Sequence, residues 1–313
     1  MRFLALFWNP AERRPRFLVR ALILAGAALA LALVPILFVA DPLTRAYRAG
    51  HFLAWLSKRD YDRAINMIAG PLISAGILIA VFVTALVVDR RPLADLGYRG
   101  GTRAVRDSIA GFAIGGAVML FVFLVELAFG WIRVVGGCGA LEMGASIPLA
   151  FGFVLVKNAC VGVTEETVSR GYLIPNLTES LGFTRWSRRV IVAAAVLVSS
   201  VLFGAHHVVN PNFTLAAAVG LTVNGVLLAL GFLLTGGLAL PIALHAAWNL
   251  FQGSVFAFPV SGEREAASLI VTRLGGPDLP TGGPFGPEAG LVGIAASLLG
   301  IVLVVAYTRG RRE

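Results

Sequence analysis

Charge is what this sequence has least of. Of its 313 residues only 14% are charged, against about a quarter in soluble globular proteins. Lysine occurs only as Lys58 and Lys157. That scarcity excludes an ordinary soluble domain. It also excludes a nucleic-acid binder, whose basic residues cluster with stacking aromatics on a solvated face. Cysteine is nearly absent: Cys138 falls in a predicted exterior loop and Cys160 inside a predicted span, so no disulfide is expected. There is no internal repeat, no low-complexity tract and no His-Glu-x-x-His helix of the kind that marks many zinc peptidases.

What is present is apolar sequence in long blocks. Hydrophobic residues make up 58% of the chain, and a helix needs roughly 20 mostly apolar residues to cross about 30 Å of hydrocarbon. Eight blocks qualify, at about 17–40, 65–88, 109–132, 147–173, 190–209, 213–234, 237–258 and 289–307. Backbone groups in lipid must be satisfied within their own segment, so these blocks are helices; a barrel would show short alternating strands instead. The expectation is an all-α polytopic membrane protein of about eight transmembrane helices, one transmembrane domain over 1–313, with a polar site inside the bundle. The first block is too long for a cleaved signal peptide and reads as a retained anchor. Pro175 is expected to stop the fourth helix, and Asn210-Pro211-Asn212 to turn the chain between the fifth and sixth. The aromatic stretch 52–56 is placed at the membrane interface. The Gly- and Pro-rich stretch 259–288 is read as an exterior loop, ordered or mobile.

Basic residues orient the chain. Eight spans put seventeen of them on one side, around Arg2 to Arg20, Arg90 to Arg106, Arg170 to Arg189 and Arg309 to Arg312, against eight on the other. The positive-inside rule makes the first side cytoplasmic. Both termini are then cytoplasmic in a multi-pass plasma-membrane protein, and the net charge of +9 reflects topology and anionic lipid. Arg-rich, Gly- and Ala-rich usage suggests a bacterial source.

Ionisable groups inside a membrane are costly, at least about 2.5–3.5 kcal/mol each at the centre, and so are candidates for function. They occur in three places, all within a core of 147–253. In the fourth span Glu166 and Arg170 stand at i,i+4 and can pair, while Glu165 points about 100° away and is free for other work. In the fifth, Phe203 and His207 share a face, and His206 is turned aside and read as a bystander. In the seventh, His245 and Asn249 share a face, with Ala246 and Ala247 allowing another helix to approach. Lys157 and Asn224 are single intramembrane residues and are read as structural. Together these residues supply a base, imidazoles and an amide donor, the inventory for hydrolysing an acyl bond.

Order and spacing resemble a known family. Glu165-Glu166-x-x-x-Arg170, Phe203-x-x-x-His207 and His245-x-x-x-Asn249 are similar to the three signature motifs of the CPBP intramembrane proteases, which include type II CAAX prenyl endopeptidases and bacteriocin self-immunity proteins. The resemblance covers less than half of the chain. It implies that Glu165 activates water with help from His207, that His245 and Asn249 bind the oxyanion, and that Glu166 and Arg170 orient the site. It implies a membrane-associated protein or peptide as substrate, in contact with the lipid bilayer. Two mechanisms stay open, one free of metal and one using a divalent ion such as zinc held by Glu165, His207 and His245. The activity expected is that of a membrane-embedded endopeptidase. The competing classes are an ion-coupled transporter, which predicts two similar halves that the sequence does not show, and a non-catalytic scaffold such as a bacteriocin-immunity protein. One tension follows from these spans. With the fourth helix ending near Leu173, Glu165 lies toward the cytoplasm, whereas His207 lies toward the exterior.

Overall fold

The computed structural model describes residues 8–9, 14–51, 53–55, 57–139, 147–265 and 267–310. The ends of the 52–56 stretch, and the outermost arginines Arg2, Arg13, Arg311 and Arg312, lie outside the described residues. A two-residue pairing of β1 (Trp8–Asn9) with β2 (Arg14–Pro15) precedes the first helix. The helices are α1 (Phe17–Pro35), α2 (Asp41–Arg48), α3 (Lys58–Val83), α4 (Thr102–Ala128), α5 (Ile147–Glu166), α6 (Ile174–Ser180), α7 (Arg188–His206), α8 (Leu215–Thr235), α9 (Ala239–Asn249), the single turn α10 (Asp278–Thr281) and α11 (Leu291–Arg309). The strands β3 (Ile132–Gly139) and β4 (Ser268–Leu274) pair antiparallel.

Six helical segments among the described residues are long and apolar enough to cross a membrane: Phe17–Arg48, Ala64–Val88, Thr102–Ala128, Arg188–Val209, Leu215–Thr235 and Leu291–Arg309. The expectation of eight is corrected to about six by that measure. The two blocks that fall short, the fourth and seventh, are helical where expected. The fourth is interrupted by Lys157, Glu165, Glu166 and Arg170, and the seventh runs only through α9 and the π turn Leu250–Val255. These two helices carry two of the three polar motifs; in the fourth the charged groups that suggest chemistry lower the membrane signal, and in the seventh the helix is short.

Pro175 does not stop the fourth helix. After Glu166 the chain widens into a π-helix, Thr167–Leu173, and continues through α6 to Ser180. Pro175 sits in the first turn of α6, where a missing N–H is tolerated. This extension removes the depth mismatch. Glu165 now stands fifteen residues before Ser180, and His207 nineteen after Arg188, so the two lie at similar height above the turn that joins the helices. The turn expected at Asn210 to Asn212 is present, with Asn212 in the left-handed region.

The stretch 259–288 is not structureless. β4 crosses it with the β-branched run Ile270, Val271, Thr272 and pairs with β3, Ile132 opposite Leu274 and Gly139 opposite Ser268, around a bulge between Val134 and Gly136. This sheet begins where the third span was expected to end, at Ile132, because that helix starts earlier, at Thr102, and finishes at Ala128.

The largest buried core joins α4, α7, α8, α9 and α11, around Val118, Met119, Val122, Leu227, Leu240 and Leu244. Glycines set its closest approach. A Cβ at Gly115 would lie 2.6 Å from the Leu244 carbonyl oxygen, and one at Gly111 would collide with that of Leu240. Bare backbone therefore lets α9 lie directly against α4. Leu, Ile and Val elsewhere on the spans face outward, as lipid requires. At the other end of α1, Arg20 pairs at 3.2 Å with both Asp89 and Glu179, and Arg91 also bonds Glu179. This network ties α1 and the segment after α3 to α6.

Candidate active site

Two of the three motif-bearing helices change to π geometry directly after their polar residues: Glu166 precedes Thr167–Leu173, and Asn249 precedes Leu250–Val255. A π turn re-aims the side chains around it, and such turns concentrate at functional sites. Arg170, inside the first of them, reaches back along its own helix. Its Nη1 donates to Glu166 Oε1 at 2.9 Å, its Nη2 donates to the Gly225 carbonyl of α8 at 3.0 Å, and its guanidinium lies 4.4 Å from the Phe203 ring centroid. Both members of this ion pair are wholly buried.

Glu166 Oε1 also accepts from His245 Nδ1, at 2.9 Å. A carboxylate bonded to both Arg170 and His245 fixes the imidazole's orientation and turns Nε2 toward Glu165, whose Oε2 lies 4.0 Å away. Glu165 is the less buried of the two acids, with a side chain 22% exposed. Its Oε2 is nonetheless shielded and has no hydrogen-bond partner. His207 begins a 3-10 turn after α7. Its Nδ1 lies 2.9 Å from the Phe203 carbonyl, and since a carbonyl only accepts, Nδ1 carries the proton and Nε2 holds the lone pair. The Phe203 ring meets both imidazoles edge-on, at 5.3 Å for His207 and 5.9 Å for His245.

Glu165, His207, His245 and Asn249 all line one cavity of about 150 Å³. Glu166 and Arg170 do not reach it and stand behind His245 as support. His206, set aside as a bystander, is brought in: one ligand atom each from Glu165, His206 and His207 lie within 4.8 Å of one another. Among the described residues this is the convergent group of three, and it has His206 where the sequence suggested His245. The donor set fits a divalent cation. It offers two imidazoles and an unpartnered carboxylate oxygen, and the Phe203 carbonyl orients His207 as an outer-shell acceptor does.

The sequence did not single out Ser261, Glu265 or Glu288, which also line the cavity. They come from the stretch taken for an exterior loop. Lys157 Nζ donates to both Glu265 oxygens at 3.0 Å, which holds the loop down on α5. Glu288 accepts from Gln252 Nε2 at 2.6 Å and from the Ser261 backbone N–H at 3.1 Å. Burial pushes the Glu288 carboxyl up to about 7, and those hydrogen bonds only partly offset it. Nothing in the local sequence marks Glu288, since an acid beside a proline in a Gly-rich stretch reads as solvated until the fold buries it. A second cavity, of about 410 Å³ and mostly apolar, reaches Glu165 and His206 from between α1, α3, α5 and α7, past Leu24, Leu173, Leu202 and Phe203.

Residues 147–251 match the family model described as type II CAAX prenyl endopeptidase Rce1-like. The chain carries an Rce1-like domain. That domain spans about a third of the protein, from the start of α5 into the π turn after α9, and contains every candidate residue the motifs supplied. It agrees with the resemblance to CPBP proteases and supports, at family level, a CAAX-type intramembrane protease in what is a multi-pass membrane protein. No curated protein and no solved structure matches the chain.

Proposed function

We propose that the Rce1-like domain makes this protein an intramembrane endopeptidase, which hydrolyses a peptide bond in a membrane-associated protein or peptide. The observation that carries this is the meeting of Glu165, His207, His245 and Asn249, from three helices, on one small cavity. Glu165 Oε2, shielded and without a partner, accepts a proton from water; the hydroxide that results attacks the scissile carbonyl carbon. His207, its Nδ1–H anchored on Phe203, accepts through Nε2 and holds that water in line. Negative charge growing on the carbonyl oxygen is met by His245 in its doubly protonated form, with Nδ1–H held on the Glu166 carboxylate and Nε2–H donating, and by the Asn249 amide, as fixed donors should meet it. The proton taken from water then passes to the leaving amine as the C–N bond breaks. The apolar cavity that reaches Glu165 from α1 and α7 suits a hydrophobic stretch of substrate arriving from the lipid side.

Glu165, His206 and His207 are the residues that would hold a divalent ion such as zinc. When bound, the ion would polarise the carbonyl or acidify the water. The test is cleavage of a membrane-tethered fluorogenic peptide by the purified protein in nanodiscs. Glu165→Gln and His207→Ala are each expected to slow turnover by about 10²–10⁴-fold, the usual share of general acid–base catalysis, while thermal melts confirm folding. Undiminished turnover in folded Glu165→Gln protein overturns the proposal.

A further inference from the structure

We propose a second binding site, for an organic cation bearing a primary ammonium group, on the face that β3 and β4 cap. It is a cavity of about 410 Å³ lined by Glu126, Trp131, Phe258, Arg264 and Asp278 together with backbone of the glycine-rich stretch. Its volume lies in the range of small-molecule sites.

Glu126 is the observation that calls for a ligand. It is 1% exposed, and its Oε1 has no hydrogen-bond partner. It also sits in the last turn of α4, where the helix's own carbonyl end disfavours an anion. Burial, an adverse helix end and a missing partner all oppose a carboxylate there: an isolated acid so placed keeps its proton, and it ionises only where a cation compensates the charge. A cation in the cavity would do so.

The walls say which kind of cation. Trp131, whose backbone N–H donates to the Glu126 backbone carbonyl at 2.9 Å, lines the cavity with the acid, and Phe258 is a second aromatic in its wall. Gly275 bonds back to the Trp131 carbonyl, and a Cβ at Gly276 would lie 2.5 Å from Trp131 Cβ. Only a glycine lets the roof close over the indole. A carboxylate beside aromatic faces is the chemistry that holds ammonium groups, whereas a metal ion would need more oxygen ligands than Glu126 and Asp278 supply. Arg264 also reaches the lining, but it is exposed and its charge is solvated; Glu126 is not.

This site is separate from the catalytic cavity. Pro259, Gly262 and Pro287 face the ammonium cavity, while Val260, Ser261 and Glu288 of the same two segments face the other. An occupant would lie behind that wall without touching Glu165 or His207.

The test titrates full-length protein in nanodiscs with benzylammonium and, as a neutral control, benzyl alcohol, read by calorimetry and by tryptophan fluorescence. Wild type is expected to bind benzylammonium saturably and benzyl alcohol at least about tenfold more weakly, the worth of one charged hydrogen bond. Glu126→Gln should weaken benzylammonium binding by a similar factor. Asp278→Asn, which is exposed and spares folding, should weaken it by about threefold. Trp131→Phe should remove the fluorescence change and retain calorimetric binding, and His207→Ala should bind as wild type does. Competition by a capped Gly-Lys-Gly peptide would show that a lysine side chain can deliver the ammonium, and failure to compete would confine the site to free amines. No saturable binding to wild type, equal affinity for benzyl alcohol, or unchanged affinity in both Glu126→Gln and Asp278→Asn overturns the proposal.

Discussion

Replacing Glu166 with Gln removes a charge and almost nothing else. The amide oxygen can still accept from Arg170 and His245, so the change isolates the electrostatics of a pair that is wholly buried at 2.9 Å. At that distance, and at an effective dielectric constant of about 20, the attraction is about 6 kcal/mol. Relaxation and water entry return part of it, so losing one partner of a buried pair costs about 3–5 kcal/mol. Arg170 then keeps the amide oxygen, the Gly225 carbonyl and the Phe203 ring, but loses the carboxylate charge that faced it. We expect Glu166→Gln to lower unfolding free energy by about 3–5 kcal/mol and Arg170→Met by a similar amount. The double variant should cost no more than either single change, because no uncompensated charge is left. The assay is reversible unfolding in mixed micelles with increasing SDS. Raising salt from about 0.1 to 1 M should leave the differences intact, since buried pairs are screened little. Single variants near wild type, or costs that simply add, would refute the reasoning.

Three further outcomes are expected. Gly115→Leu drives a side chain into the Leu244 carbonyl and should push α9 off α4. It should cost about 1–3 kcal/mol of stability as overpacking does, and lower peptide cleavage by displacing His245 and Asn249. Lys157→Ala leaves the Glu265 carboxylate, 2% exposed, without its cation; limited proteolysis should cut the 259–267 segment faster than in wild type. Glu288, with its carboxyl raised from about 4.5 to about 7 in the folded protein, binds its proton more tightly folded than unfolded. Its contribution is therefore present at low pH and lost as pH rises through about 7, on the order of 3 kcal/mol. The unfolding midpoint should fall between about pH 5 and 8 in wild type and fall less in Glu288→Gln, and parallel curves would count against it.

What the sequence determined by itself is whatever depends on local spacing. Apolar blocks of span length require helices because lipid offers the backbone no partner, and the helical repeat puts residues four apart on one face. The Glu166–Arg170 pair and the Phe203–His207 contact were legible for that reason, and all seven motif residues fall in the matched domain. The number of apolar crossings was overestimated because a short helix and a charged one pass for spans when only block length is judged. The tertiary structure alone decided how helices meet. Which carboxylate holds His245, that His206 joins Glu165 and His207, and that Glu288, Ser261 and Glu265 roof the cavity all depend on interhelical distance. That distance is set by bare glycines such as Gly111 and Gly115 and by π turns that re-aim Arg170 and Asn249. A one-dimensional pattern fixes angles around a helix axis but carries no measure of the gap between two axes, so the site's residues could be named in advance while its partners could not.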